Sequence, residues 1–141
     1  MATTSRRARP QGFTLVELMV VIVIIGLLAS VVTINVRAHL IKARQNVAKA
    51  EIATIVSALS SFYATMGRYP TNEEGIEALT KPTDKLPEPL LERMPVDPWG
   101  KPYQYNAPGT QGPFDVICYG ADGREGGEGV DADIRSDALG R

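Results

Sequence analysis

The chain is poor in the residues from which disulfides and catalytic centres are built. Its 141 residues include one cysteine and one histidine. A single cysteine cannot form an intramolecular disulfide, and the position of Cys118 in the apolar run FDVICYG favours a buried thiol over a reactive one. His39 has no serine, cysteine or second histidine at a recognisable spacing, so the sequence shows no set of residues for nucleophilic catalysis. The sequence therefore predicts a protein that is not an enzyme.

An excess of charge of one sign is also missing. The chain has 15 Lys and Arg against 16 Asp and Glu, and aromatic residues make up only 6% of it. No basic patch with interleaved aromatic residues is present, so we predict no nucleic-acid partner. Nothing in the residue pattern points to a small-molecule substrate either.

What the chain does have is a long apolar run at residues 13–36, FTLVELMVVIVIIGLLASVVTINV, with a single acid, Glu17, near its start. Its uncharged part is long enough, as a helix, to cross a bilayer. A single span must be helical, because in lipid only helices and closed barrels satisfy the backbone. The run exceeds the roughly 7–15 apolar residues of a signal peptide, and no clear Ala-x-Ala site follows it. It predicts a transmembrane helix, for which a plain membrane tether is the simplest alternative.

Glu17 and the preceding leader argue for more than a tether. A charge inside a membrane span costs about 2.5–3.5 kcal/mol at the helix centre, and less near the end, so it needs a partner. The leader, residues 1–12, ends at Gly12 and carries three arginines, namely Arg6, Arg7 and Arg9. Cleavage between Gly12 and Phe13 would create an α-amine four residues from Glu17. The amine of such a cleaved chain is a natural partner for the acid.

The stretch GFTLVE from Gly12 to Glu17, followed by LMVVIVIIGLLAS, resembles the N-terminal signature of type IV pilins and pseudopilins. The resemblance implies that a prepilin peptidase cuts after Gly12 and that the new N-terminal Phe13 is N-methylated. It implies that the apolar segment is kept, first as a membrane anchor and then as the core of a helical filament. It also implies that Glu17 neutralises the α-amine of a neighbouring subunit during assembly. Basic residues on both sides of the span leave its orientation ambiguous from charge alone.

Beyond the span, apolar residues recur at helical spacing as far as Met66, which predicts an amphipathic helix whose apolar stripe faces a core. Gly67 is placed to end this helix, with Pro70 soon after. The predicted stripe consists of Ala48, Ile52, Ile55, Val56, Leu59, Phe62, Tyr63 and Met66. The opposite, polar face consists of Lys42, Gln45, Lys49, Glu51, Thr54 and Ser57.

The rest of the chain, residues 67–141, is predicted to form small elements. A capping box at residues 71–74 predicts a short helix through Leu79. The prolines of residues 81–98 exclude a long regular element, and we expect the side chains of Leu90, Leu91 and Met94 to pin this segment to the core. Two β-rich pieces, residues 102–106 and 114–119, flank the turn sequence APGTQG. The stretch VDPWGKPYQY resembles the segment that leads into the sheet of the major pseudopilins, with Trp99 as a packing anchor.

Together these elements predict an α+β fold, in which a long N-terminal helix, transmembrane and then amphipathic, packs on a small antiparallel β-sheet. The resemblance makes this a type IV pilin-like fold. The predicted organisation has three parts: a leader at residues 1–12, a transmembrane and filament-core segment at residues 13–36, and a periplasmic globular domain at residues 37–141 that includes the C-terminal half of the helix.

The sequence GADGREGGEGVDAD, residues 120–133, places five carboxylates among glycines. Unpaired, these carboxylates repel one another and the glycines cost entropy to order. Calcium favours six to eight oxygen ligands, which a flexible loop can supply. The spacing is not that of an EF-hand, and composition alone leaves both a solvated loop and a calcium site open. The loop resembles the calcium loop of major pseudopilins, which implies Asp122, Asp133 and the Tyr119 carbonyl as ligands; Asp131 is added by proximity.

The resemblance covers nearly the whole chain and points to the major pseudopilins of type II secretion systems. It implies a structural subunit, anchored by one span in the bacterial inner membrane, that polymerises into a periplasmic pseudopilus driving protein secretion across the outer membrane. The implied partners are further copies of the chain, minor pseudopilins, an inner-membrane assembly platform and prepilin peptidase. The alternatives are a type IV pilin for adhesion or motility, which usually has a cysteine pair, and a membrane-anchored periplasmic enzyme or calcium-binding module, which would not need Glu17.

Overall fold

The structure is a computed structural model and describes residues 12–139, without the side chains of residues 32–35. The predicted leader therefore lies outside the described residues except for Gly12. The chain divides into two compact units, one ending at Ala38 and the other beginning at His39.

A single α-helix, α1, covers Leu15–Met66 and contributes residues to both units. In the first unit the large apolar side chains that the structure describes are exposed, from 46% at Val21 to 80% at Phe13, which precedes the helix. By length and composition this helix is able to cross a membrane, and none of its apolar window is buried. The first unit therefore presents an apolar surface that lipid or other helices can cover.

The C-terminal end of α1 is set by glycine, as predicted. The helix ends at Met66, and Gly67 takes the left-handed conformation at φ 74°. The backbone N–H of Gly67 donates to the Tyr63 carbonyl at 2.8 Å, which satisfies a carbonyl of the last turn.

Three short antiparallel strands form the sheet of the second unit. They are β1 (Gln104–Asn106), β2 (Asp115–Cys118) and β3 (Ile134–Arg135), hydrogen-bonded in the order β1-β2-β3. All four residues of the central strand are buried. The two β-rich pieces are confirmed in shortened form, whereas β3 was missed because two residues are too few to show an alternating pattern.

The core of the second unit joins one face of α1 to this sheet. The predicted stripe is confirmed at Ala48, Ile52, Ile55, Leu59 and Phe62, which are at most 2% exposed. The cluster is completed by Ala58 of α1 and by residues later in the chain, namely Ile76, Leu79, Tyr103, Tyr105, Val116, Cys118 and Ile134.

Two predicted core positions are wrong. Tyr63 is 49% exposed, because it lies at the edge of the stripe, and its ring stacks on that of Tyr69 at 4.7 Å between centroids. Met94 is 42% exposed, whereas Leu90, Leu91 and Trp99 pack against the core as expected.

The polar face of α1 also needs a correction, because two of its members are half-buried. The Gln45 side chain donates from Nε2 to the Gly129 carbonyl at 2.6 Å. The Tyr103 hydroxyl donates to the Glu51 carboxylate. Their polar tips therefore bind other parts of the unit rather than facing water.

The predicted capping box is present. The Thr71 N–H donates to Glu74 Oε2 at 2.8 Å, and the Glu74 N–H donates to Thr71 Oγ1 at 3.2 Å. The short helix that follows is a 3₁₀ helix, Ile76–Thr80, which starts after Gly75 at φ 56°. The Arg68 guanidinium binds both Glu74 oxygens, at 2.6 and 2.8 Å.

Candidate functional site

The first candidate site lies at the N-terminus of α1, where Thr14 and Glu17 form a second capping box. Glu17 Oε2 accepts hydrogen bonds from Thr14 N at 3.1 Å and from Thr14 Oγ1 at 3.2 Å. In return, the Glu17 N–H donates to Thr14 Oγ1 at 3.2 Å. Glu17 was predicted from its sequence context, whereas Thr14 was missed, although the spacing T-x-x-E ahead of an apolar run was the available signal.

This capping box orients the acid. The carboxylate sits in the first turn of α1, where the helix dipole favours negative charge. Both bonds from Thr14 go to Oε2, so Oε1 lies outside the capping box. Gly12 and Phe13 are exposed just before it. The arrangement is able to accept a further donor from outside the chain through Oε1.

The second candidate site is the acidic loop, residues 120–133, whose backbone is held at several points. The Gly123 N–H donates to the Tyr119 carbonyl at 3.2 Å, and the Ala121 N–H donates to the Val130 carbonyl at 3.1 Å. A β-carbon on Gly120 would lie 2.7 Å from the Asp131 carbonyl oxygen. Glycine is therefore required at position 120 for the two ends of the loop to approach.

The side chains of the predicted metal ligands are not gathered into a ready cluster. Asp122 is exposed, and its Oδ1 accepts from the Arg124 N–H at 3.1 Å. Asp131 is half-buried, with its backbone against Gly120. Across residues 12–139, no three His, Cys, Asp or Glu side chains lie together in a way that could hold a metal ion.

Asp133 is the predicted ligand that fits a cation best. Its Oδ2 accepts from the Gly126 N–H at 2.9 Å, while its Oδ1 is buried without a hydrogen-bond partner among the described residues. A buried acceptor left unpaired costs about 1–3 kcal/mol, and more when charged. A hard cation that also used backbone carbonyls, such as that of Tyr119, would remove this cost.

Cys118 lies behind the loop on β2 and is 1% exposed, as predicted for a buried thiol. Its Sγ donates to Asp97 Oδ2 at 3.4 Å. Burial raises the pKa of the Cys118 thiol to about 11, so the thiol stays protonated at neutral pH. A protonated, buried thiol has the properties of an inert core residue.

Sequence reasoning missed Asp115, a buried carboxylate at the start of β2. Its Oδ2 accepts from Thr110 N and Thr110 Oγ1, both at 2.8 Å, and from Arg135 Nη2 at 3.0 Å. Burial opposes ionisation of Asp115, but these hydrogen bonds outweigh it and keep its pKa below the ordinary value. The cluster ties the β1–β2 turn to β3. A single aspartate as the first residue of a strand gives no sequence signal of such a contact.

Comparison with known proteins identifies the family. The family described as "Type II secretion system (T2SS), protein G" matches residues 35–137, and the prokaryotic N-terminal methylation motif matches residues 7–33. The chain belongs to the type II secretion system protein G family.

The similarity extends along most of the chain. The chain is 46% identical over 136 residues to the type II secretion system core protein G of Pseudomonas aeruginosa, and this match covers 92% of the chain and 96% of that protein. It is 48% identical over 131 residues to the core protein G of Vibrio cholerae, covering 87% and 88% of the two chains.

A solved structure supports the fold. The crystal structure of the major pseudopilin from the type 2 secretion system of enterohaemorrhagic Escherichia coli matches with a TM-score of 0.56 and 31% identity, over 67% of this chain and 87% of that one. The prediction of a type IV pilin-like α+β fold and that of the pseudopilin family are therefore confirmed.

Proposed function

We propose that the chain is the major pseudopilin of a type II secretion system and works as a structural subunit of a periplasmic pseudopilus. The observation that carries the proposal is the match of the protein G family to residues 35–137, preceded by a methylation motif at residues 7–33. No catalytic role is assigned to the chain. The alternative of a type IV pilin is disfavoured by the same match.

In this proposal a prepilin peptidase cuts after Gly12 and Phe13 becomes N-methylated. The exposed apolar part of α1 anchors the subunit in the inner membrane by a single span, with the residues from 37 onward in the periplasm. Such a span is stable in lipid because the helix satisfies its own backbone. Its exposed side chains then pack on other subunits in the filament.

Glu17 gives assembly its register. The Oε1 atom, which the capping box leaves aside, accepts the Phe13 α-amine of a neighbouring subunit. A charge-assisted bond of this kind is roughly twice as strong as a neutral one. Minor pseudopilins and an inner-membrane assembly platform are the further partners, and a cytoplasmic ATPase supplies the work.

We also propose that the acidic loop binds calcium through Asp122, Asp131, Asp133 and the Tyr119 carbonyl. The unpaired Oδ1 of Asp133 supports this assignment. The ion would cancel carboxylate repulsion and tie the two ends of the loop together. Binding to the folded state alone would stabilise the fold by mass action.

The calcium proposal predicts that a chelator lowers the melting temperature of the full chain in detergent and that added calcium restores it. Asp133→Asn should remove most of this response, because it takes away the buried charge. Glu125→Gln, an exposed change in the same loop, is the matched control and should keep the response. If a chelator had no effect on the unsubstituted chain, the loop would be a solvated segment and the calcium proposal would be wrong.

The functional proposal is tested by expressing the chain in a bacterium whose own core protein G has been deleted. We expect the chain to restore secretion into the medium, and the Glu17→Gln variant to lose this rescue while still being cleaved after Gly12. Rescue of pilus-dependent motility in a pilin-deficient strain, without rescue of secretion, would favour the type IV pilin instead.

A further inference from the structure

A lysine from outside the acidic loop reaches into it. Lys101 Nζ donates to the Ala121 carbonyl at 2.7 Å. The loop itself, residues 120–133, has five carboxylates and one arginine. Lys101 therefore brings a positive charge to a segment in which negative charge is in excess.

The backbone of Lys101 is fixed by a buried carboxylate. Asp97, 5% exposed, accepts the Lys101 N–H at Oδ1 at 2.8 Å, and the Asp97 N–H donates to the Lys101 carbonyl at 2.7 Å. The same Oδ1 also accepts the Trp99 N–H at 2.9 Å. The turn of residues 97–101 is thus held by its own hydrogen bonds, which fix the backbone from which the Lys101 side chain extends to the loop.

The loop is shaped to admit the lysine. A β-carbon on Gly123 would come within 2.4 Å of Lys101 Nζ and 2.8 Å of its Cδ. The aliphatic stem of Lys101 therefore lies directly against the Gly123 backbone. Gly123 also has φ +69°, so a side chain there would be strained as well as crowded.

From this geometry we propose that Lys101 is an internal cation of the acidic loop. Its ammonium offsets part of the carboxylate repulsion in the absence of any metal, and so keeps the metal-free loop ordered. The same fixed charge repels a divalent cation, so Lys101 lowers the affinity of the loop for calcium. The second effect rests on the proposed calcium site, whereas the first does not.

The test compares the full chain in detergent with Lys101→Met, which keeps most of the stem but removes the charge, and with Lys101→Arg, which keeps the charge. Lys85→Met, at an exposed lysine outside the loop, is the matched control. Hydrogen exchange of the amides of residues 121–127 is measured in chelator, and calcium binding is measured by calorimetry.

In chelator we expect the loop amides of Lys101→Met to exchange on the order of tenfold faster. We expect its affinity for calcium to rise on the order of tenfold as well, which is the size of a partly screened charge interaction. Lys101→Arg and Lys85→Met should resemble the unsubstituted chain in both. The proposal would be overturned if amide exchange in Lys101→Met were unchanged, or if its calcium binding were unchanged or weaker. It would also be overturned if Lys101→Met and Lys101→Arg lost protection from exchange equally. If no variant binds calcium, the calcium site fails and exchange in chelator alone decides the role of Lys101.

Discussion

The two ends of α1 contain similar apolar residues, but these side chains are exposed in the first unit and buried in the second. Ile22 and Leu28 are 67% and 63% exposed, whereas Ile52 and Leu59 are fully buried. The difference lies in their surroundings. Ile52 and Leu59 pack in a core with the sheet, whereas none of the most apolar stretch of the helix is buried among the described residues. Burial, rather than residue type, separates a segment that stabilises its own fold from one that is kept for lipid or other subunits.

The energetic consequence follows from area. Fully burying a leucine or isoleucine side chain stabilises a protein by about 1.5–3 kcal/mol. The residues from Ala48 onward obtain this within one chain. The apolar side chains that the structure describes before Ala38 are exposed, so their burial has to come from lipid or from neighbouring chains. This is the property expected of a subunit that assembles through its N-terminal helix.

Leucine-to-alanine changes at the two ends of α1 should differ most in their effect on stability. Leu59→Ala should lower the free energy of unfolding of the second unit by about 2–5 kcal/mol, because it leaves a cavity in a packed core. Leu28→Ala, the matched change at an exposed position, should leave that unfolding unchanged. Denaturant titration of both variants in detergent, followed by Trp99 fluorescence, checks this. Equal losses from the two changes would contradict the division.

A smaller effect is expected at the buried carboxylate of the second unit. Arg135→Met leaves Asp115 with its Thr110 bonds but without its cationic partner. We expect a loss of about 1–3 kcal/mol, the cost of an under-satisfied buried group. The same denaturant titration measures it, and Arg124→Met, at an exposed loop arginine, should change it little. If the two arginine variants were equally stable, the Asp115 cluster would not be a structural clamp.

The two capping boxes, Thr14–Glu17 and Thr71–Glu74, make the same kind of hydrogen bonds but lie in different units. Thr71→Ala should cost the second unit about 1 kcal/mol of unfolding free energy. Thr14→Ala should cost that unit nothing and should instead slow pseudopilus assembly, by freeing the Glu17 side chain. Unfolding curves and filament yield separate the two results. A Thr14→Ala variant that destabilised the second unit would show that the units are not independent.

The smallest effect is a pH dependence carried by Glu74. Hydrogen bonds from Arg68 and from the Thr71 backbone lower the Glu74 pKa from 4.5 to about 2. A lowered pKa means that its contribution to stability is complete above about pH 4.5 and is lost as the pH falls towards 2. Because Glu74 is 38% exposed, solvent screens its ion pair and the effect should be well below that of the cap itself. Melting curves of Glu74→Gln should lack this slope; a slope equal to that of the unsubstituted chain would assign it to other acids.

The sequence revealed those features whose residues lie close together along the chain. The apolar run, the helix stop at Gly67, the capping box at Thr71 and most of the core stripe are local patterns with direct physical causes. The strand β3 was invisible because Ile134 and Arg135 are too short a signal. Tyr63 was placed in the core because periodicity cannot tell the middle of a stripe from its edge.

The contacts that the sequence could not predict join distant residues. Asp115 meets Arg135 and Lys101 meets Ala121 only after the sheet has formed. Gln45 and Glu51 were assigned to a polar face because their type suggested water, yet their tips reach partners far along the chain. The processing residues Gly12 and Phe13, the role of Glu17 and the calcium ligands remain predictions.

The intact mass of the protein extracted from membranes distinguishes a retained assembly helix from a tether or a discarded signal. We expect a chain of residues 13–141 carrying one added methyl group, with the whole apolar segment retained. A chain that still carries residues 1–12, or one cleaved after the apolar run, would contradict it, because the segment would then be an ordinary tether or a discarded signal.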